Sequence, residues 1–360
     1  MKHGGTAPRT GRLQLRKRSC SRGAALLAAM LTVTLVATFA ASALWQQWRG
    51  IEVETAERAR VQSAWILIGA LDWSRLILIE DYNAGGAGGA DHLAEPWAVP
   101  LEEARLSTFL AADRNVVQQD DAGSDTSDAF LSGQVTDLQS RLNLATLVNG
   151  SADTQLAQAQ FARLFTRLGL APAELDMLVA ALRQAQPDSE GQDQAGARPS
   201  GGTGMGSNGN APLMPQTLEQ LTWLGVQPAT VAALAPYATL LPDPATRLNI
   251  NTADATVLMA GIEGLDEAGA NKLVAVRQMQ HFRTLEEARA LLGSSASAQL
   301  SESLLDTRSS YFEVRGRLRL RDVTVHERSL VHRIGRNVTT VQRERGAAVL
   351  ASAAPGALPP

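Results

Sequence analysis

The sequence contains a single cysteine, Cys20, so no intramolecular disulfide can form. The residues before it, "KRS", are not the small apolar ones that precede a lipid-modified cysteine, and the thiol reads as incidental to a leader. Aromatic residues make up only 4% of the chain. The five histidines (His3, His92, His281, His326 and His332) show no zinc-type spacing, although His326 and His332 would share a face if one unbroken strand carried both. There is no Gly-x-Ser-x-Gly elbow, and "GGAGGA" at 85–90 lacks the Lys-Ser/Thr of a phosphate loop. These absences leave no hydrolase, zinc or nucleotide signature, so the chain is expected not to be an enzyme. Two further absences are local. Residues 1–22 hold no acid, and residues 24–44 hold no charge of either sign.

What fills those gaps is informative. The first 22 of the 360 residues carry Lys2, Arg9, Arg12, Arg16, Lys17, Arg18 and Arg22, yet the chain totals −3, so the remainder is decidedly acidic and a poor match for nucleic acid. "AALLAAMLTVTLVATFAASAL" (24–44) has the roughly 20 apolar residues that a helix needs to cross a bilayer. Trp45 and Trp48 follow at the expected interface, then Glu52, Glu54 and Glu57. Basic residues before the span and acids after it orient it with the N-terminus inside the cell. "ASA" at 41–43 offers the rival reading of a cleaved signal peptide. Helical periodicity, however, runs on through Trp48, Ile51, Val61, Trp65, Ile68, Leu71, Leu76 and Ile79, predicting one helix from Ala24 to about Asp81 that such a cut would sever.

Further along, residues 129–137 alternate as a short strand, and 151–186 is helical with Phe161, Leu164, Phe165, Leu175, Leu178 and Leu182 at core spacing. Residues 187–216 are rich in Gly, Ser, Asn and Pro and read as a loose loop. Helical pattern resumes at 217–240 and again from 248 to about 306. "RLNLAT" (141–146) and "RLNINT" (247–252) are near copies, and their Asn143 and Asn249 are expected to cap helix starts rather than to form an active site. From 307 the period becomes two, predicting three antiparallel strands with turns at "RD" and "GRN", then a tail of Ala and Pro.

A basic leader ending in Gly23, an uncharged span and an amphipathic continuation resemble the type IV prepilin class, whose members are cut after the glycine. Most of that class has glutamate at the fifth mature position, where this chain has Ala28. This departure, with "ARVQSAWILIGALDWSRLIL" (Asp72, Trp73, Arg75), "DHLAEPWAVPL" (91–101), "GQVTDLQSRLNLATLV" (133–148) and "LNINTADATVL" (248–258), resembles the minor pseudopilin K family of type II secretion systems. The resemblance implies an α+β fold: a long transmembrane and amphipathic helix packed on an antiparallel sheet, with a large α-helical domain inserted. It divides the chain into leader 1–23, transmembrane helix 24–44, pseudopilin helix and first strand 45–140, inserted domain 141–306, C-terminal strands 307–346 and tail 347–360.

The same resemblance implies a single-pass protein of the inner membrane with a periplasmic body, processed between Gly23 and Ala24 by the prepilin peptidase and methylated there. Its partners would be minor pseudopilins I and J, and its role would be to cap a pseudopilus that exports secreted proteins. It also implies calcium as an option, for which Asp188, Glu190 and Asp193 are weak candidates in "PDSEGQDQAGAR"; "DDAGSDTSD" (120–128) is a second acidic loop without EF-hand spacing. Three alternatives stay open: a type IV pilus tip pilin, a soluble periplasmic protein freed by signal-peptide cleavage before Leu44, and an extracytoplasmic DNA-binding helix-hairpin-helix protein. Against the latter, the turn "AGIEGLDE" has an extra residue between Gly261 and Gly264, and Glu263, Asp266 and Glu267 oppose phosphate with only Lys272 and Arg277 to offset them.

Overall fold

The structure, a computed structural model, describes residues 22–85, 89–108, 129–148, 150, 153–186, 212–297, 300–320 and 323–346. The chain divides into two units, Met1–Ala59 and Arg60–Pro360. Helix α1 spans Arg22–Ala84, slightly longer than the predicted 24–81. Its stretch in the first unit is exposed throughout, from Leu26 to Val53. It is the one helix among the described residues that is long and apolar enough to cross a membrane. In that stretch Thr32, Thr34, Thr38 and Ser42 each donate their hydroxyl to the carbonyl three residues back, at 2.8–3.0 Å. Polar hydrogens are thereby satisfied within the helix, as an apolar solvent requires.

The second unit is built on a five-stranded antiparallel sheet. Its strands are β1 (Leu101–Arg105), β2 (Ala129–Asp137), β7 (Tyr311–Leu320), β8 (Val323–Ile334) and β9 (Asn337–Gly346), in that spatial order. Between β2 and β7 in sequence lie the two-residue strands β3 (Leu142–Asn143), β4 (Ala238–Thr239), β5 (Leu248–Asn249) and β6 (Leu305–Asp306). They form two small parallel pairs, β3 with β4 and β5 with β6. The predicted strand 129–137 and the C-terminal meander are present, the latter turning at Gly335 with φ of 61°. β1 was not expected, because "LEEAR" holds three charges in five residues and shows no apolar alternation. It is a strand because the outer edge of β2 offers backbone partners, Leu101 opposite Gly133 and Ala104 opposite Leu131.

From Leu67 onward α1 lies against this sheet. Leu71 and Leu78 join Trp97, Val135, Phe312, Val314, Val331 and Val338 in one apolar core, with Trp97 edge-on to Phe312 at 5.2 Å. A larger second core fills the helices between β2 and β7. These are α2 (Thr154–Leu168), α3 (Pro172–Ala185), α4 (Pro228–Leu234), α5 (Ala255–Gly261), α6 (Glu267–Met279) and α7 (Leu285–Ser297). The stretch 151–186, read as helical without a break, is divided at Gly169, whose φ of 68° ends α2, and Pro172 opens α3.

The near-copy hexapeptides are a structural repeat, and the capping expectation holds at the first, where Asn143 directly precedes the short 3-10 helix Leu144–Val148, but not at Asn249, which heads a turn. Each begins with a Leu-Asn strand, and each Asn turns its Oδ1 back to accept a backbone N–H two residues on, Ala145 at 3.1 Å and Asn251 at 2.9 Å. The cap of α5 is Asp254 instead, accepting from the Val257 N–H at 2.7 Å. Leu78 is fully buried where α1 meets the sheet. Its replacement, Leu78→Ala, is expected to cost about 2–5 kcal/mol in chemical denaturation of the chain.

Candidate functional site

Two features stand out for a chain without catalytic motifs: a buried polar clamp between sheet and helices, and an unpartnered strip on α1. Arg333 near the end of β8 centres the clamp. Its guanidinium donates to Asp81 of α1 at 3.0 Å, to Asp91, and to the Ser309 carbonyl at 2.9 Å, while lying over the Phe312 ring at 4.9 Å. Asp137, the last residue of β2, is the second centre. It accepts from Thr252 Oγ1 at 2.5 Å, Ser309 Oγ at 2.6 Å and the Gln139 N–H at 2.8 Å. Asn249 Nδ2 bridges the two, donating to Ser309 Oγ at 2.9 Å and the Asp91 carbonyl at 3.1 Å. Gln139 adds a parallel tie, donating to the Arg247 carbonyl at 2.7 Å and accepting from the Ser310 N–H at 2.6 Å. Every group that leaves water here finds a partner, without which burial would be prohibitive.

Four carboxylates lie in and beside this clamp, two of them on the Arg333 guanidinium, and burial raises all four. Asp91 is pushed up to about 6 despite the attraction of Arg333, and Glu95 up to about 7 by burial reinforced by the charges of Asp81 and Asp91. Asp81 and Asp137 are raised by burial in the same direction. Glu95 accepts from the His92 N–H at 3.0 Å and from Trp97 Nε1 at 2.6 Å, pinning the loop that follows α1. His92 stacks on His281 at 3.7 Å, and burial, with the charge of His281, lowers it to about 4, so it is neutral. The carboxylates of Asp81, Asp91 and Glu95 are close enough to share a cation. Arg333 already bridges two of them and Trp97 holds the third, so the group does not fit a divalent ion.

The sequence-derived positions fall out as follows. Gly23 and Ala24 lie in the first turn of α1 and Ala28 is exposed one turn later. Asp188, Glu190 and Asp193, the 120–128 loop and Cys20 lie outside the described residues. Asp72 and Arg75 form a tie from helix to sheet: Arg75 pairs with Asp72 at 3.0 Å and donates Nε to the Val338 carbonyl at 2.8 Å. His326 and His332 do share β8, but six residues put them about 20 Å apart. His332 stacks on Tyr311 instead. In the hairpin, Asp266 caps α6 by accepting from the Gly269 N–H at 2.7 Å, so its own carboxylate occupies the end where a phosphate would dock. Lys272 and Arg277 donate to the Leu291 and Ile250 carbonyls.

The clamp was not legible in the sequence, because Asp91 and Arg333 are separated by 242 positions and only the fold joins them. The strip was. With Ser63, Leu67, Leu71 and Leu78 turned inward, α1 turns Val61, Trp65, Gly69, Asp72, Leu76 and Glu80 outward at spacings of three and four. Trp65 is 67% exposed and Leu76 58%, and no atom lies within 4 Å of where a Gly69 Cβ would sit. Scattered exposed apolar residues are ordinary, but a row of them on one helix face beside a glycine marks a packing surface.

The raised carboxylates set the sign of the pH response. Between their ordinary values near 4 and the native values of about 6 and 7, the folded chain holds protons that the unfolded chain has released. Stability should therefore fall as pH rises from about 5 to 8, and Glu95→Gln should flatten that slope in denaturant titrations. Arg333→Met would leave Asp81 and Asp91 buried without their counter-charge and is expected to cost about 3–5 kcal/mol at pH 7.5.

The chain is similar to known proteins over nearly its whole length. Residues 140–243 and 248–308 each match a family profile described as type II secretion system (T2SS), protein K. Type II secretion system protein K of Pectobacterium carotovorum subsp. carotovorum is 27% identical over 349 residues, covering 91% of this chain and 98% of that protein. Among solved structures, a chain of the GspK-GspI-GspJ complex from enterotoxigenic Escherichia coli matches with a TM-score of 0.60 at 18% identity, covering 81% of this chain and 99% of its own. That likeness supports the α+β fold of a helix on an antiparallel sheet with further helices. The matched segments contain the Leu-Asn repeats and the Asp254-capped hairpin described above, and on them the chain belongs to the type II secretion system protein K family, the minor pseudopilins of that system.

Proposed function

We propose that this chain is the tip subunit of a short periplasmic pseudopilus and works by assembly rather than catalysis. The observation that carries the reading is the outer strip of α1, whose Val61, Trp65 and Leu76 are exposed, uncovered by any of the described residues. Minor pseudopilins I and J of the same system are the partners that would cover it, as the solved relative in complex with GspI and GspJ suggests. Residues 24–44 hold the subunit in the inner membrane, with the basic leader in the cytoplasm and the acidic body in the periplasm. The prepilin peptidase cuts between Gly23 and Ala24 and the new amine is methylated. In a fibre subunit a glutamate at the fifth mature position would offset the amine of its neighbour, a costly charge in lipid. Ala28 offers no such charge, which suits a subunit with nothing above it. The helical body between β2 and β7 would block further stacking, so the fibre ends here and pushes secreted proteins outward.

Two measurements test this. Purified from cells that contain the peptidase, the mature chain should begin at Ala24; a start at Leu44 would mean that the apolar helix is discarded and the reading is wrong. With the full chain in detergent, Trp65→Glu should weaken binding to I and J by about 2 kcal/mol or more while leaving the thermal midpoint unchanged.

A further inference from the structure

Beside the outer strip a cavity of about 240 Å³ opens between one flank of α1, formed by Ala70, Trp73, Ser74 and Ile77, and the segment 96–101. Leu131, Val135 and Val314 floor it. Its depth comes from Gly133 and Gly316, directly paired across β2 and β7. A Cβ on Gly316 would sit 3.0 Å from Leu67 Cδ2, and one on Gly133 would sit 3.1 Å from the Arg315 carbonyl, so a side chain at either position would press on its neighbour. Most of the polar lining residues are paired: Ser74 donates to the Ala70 carbonyl, Arg315 pairs with Glu313, and Glu327 pairs with Arg343 and Arg345. Ser329 is 1% exposed, lines the cavity, and its hydroxyl has no hydrogen-bond partner among the described residues. A buried hydroxyl left unpaired is uncommon and points to a missing partner.

The volume falls below the roughly 300–1,000 Å³ typical of cofactor and drug-sized sites, and suits a single side chain. A largely apolar lining with one buried, unpaired hydroxyl matches tyrosine or tryptophan, whose rings are apolar and carry one polar tip. The mouth lies along the strip: Trp73 and Ile77 directly follow Asp72 and Leu76 on α1, and Val99 at the opposite lip is 66% exposed. A helix laid along the strip would pass over it.

We propose that this cavity is the socket for one tyrosine or tryptophan side chain of a sibling minor pseudopilin, with Ser329 Oγ as its hydrogen-bond partner. The inference rests on the tip-subunit reading and deepens it by naming the anchor. A single large aromatic seated in a dry pocket would dominate the affinity of the whole contact. The hydroxyl would also discriminate, because a leucine or phenylalanine in the same place leaves it unpaired.

The test measures binding of the full chain, in detergent, to full-length I and J of the same system. Ala70→Phe fills the socket from the helix side, and Val99→Asp puts a charge at its mouth on a side chain too exposed to matter for folding. Each should weaken binding to one sibling by roughly tenfold or more. Val99→Asp carries the result if Ala70→Phe does not fold. Ser329→Val should weaken it several-fold. If the unaltered chain binds neither sibling, the tip reading itself fails. If it binds and both Ala70→Phe and Val99→Asp bind equally well, the socket alone is overturned. If those two weaken binding and Ser329→Val does not, the guest is a purely apolar side chain and the tyrosine or tryptophan assignment is wrong.

Discussion

A single guanidinium, that of Arg333, holds together three parts of this protein that lie far apart in sequence. It reaches Asp81 at the end of the long helix, Asp91 in the loop that follows, and the Ser309 carbonyl in the chain returning from the helical body. Asp137 does the same from the other side through Thr252 and Ser309. An apolar contact at this junction would be non-directional and tolerant of sliding. The clamp specifies one mutual placement, because each donor and acceptor has a buried partner that no other arrangement would satisfy. Its excess of carboxylate over cation is the electrostatic strain that comes with such specificity.

α1 serves two solvents with one uninterrupted element. In residues 24–44 every side chain is apolar or a hydroxyl bonded to its own backbone, which suits lipid. From Leu67 on, the inward face is leucine and the helix belongs to a water-soluble body. The outward row with Trp65 and Leu76 fits neither role, and is best explained by a further protein surface.

Much of the fold was legible because its signals are local. The uncharged 24–44 run, the alternation at 129–137 and the C-terminal meander are periodicities within one element, and each element is where the pattern places it. β1 was not legible, since its charged sequence becomes a strand only by pairing with β2. The two Asn-centred hexapeptides were recognisable as a repeat; the capping reading holds at Asn143, ahead of the short helix Leu144–Val148, and fails at Asn249, where Asp254 is the cap. The parallel partners at Ala238 and Leu305 that make each Leu-Asn a strand are distant in sequence. The clamp was hidden for the same reason. Asp91 sits in a conspicuous block, "DHLAEPW", yet nothing near it in the chain announces Arg333.

β2 ends at Asp137 and β7 resumes at Tyr311, and the register sets Asp137 opposite Phe312. The whole helical body thus departs and returns across one inter-strand gap, about 5 Å wide. Departure and return therefore meet at the clamp, where Thr252 and Asn249 of the body hold Asp137 and Ser309, so excising the body would strand those buried groups without partners even though the strand order could survive.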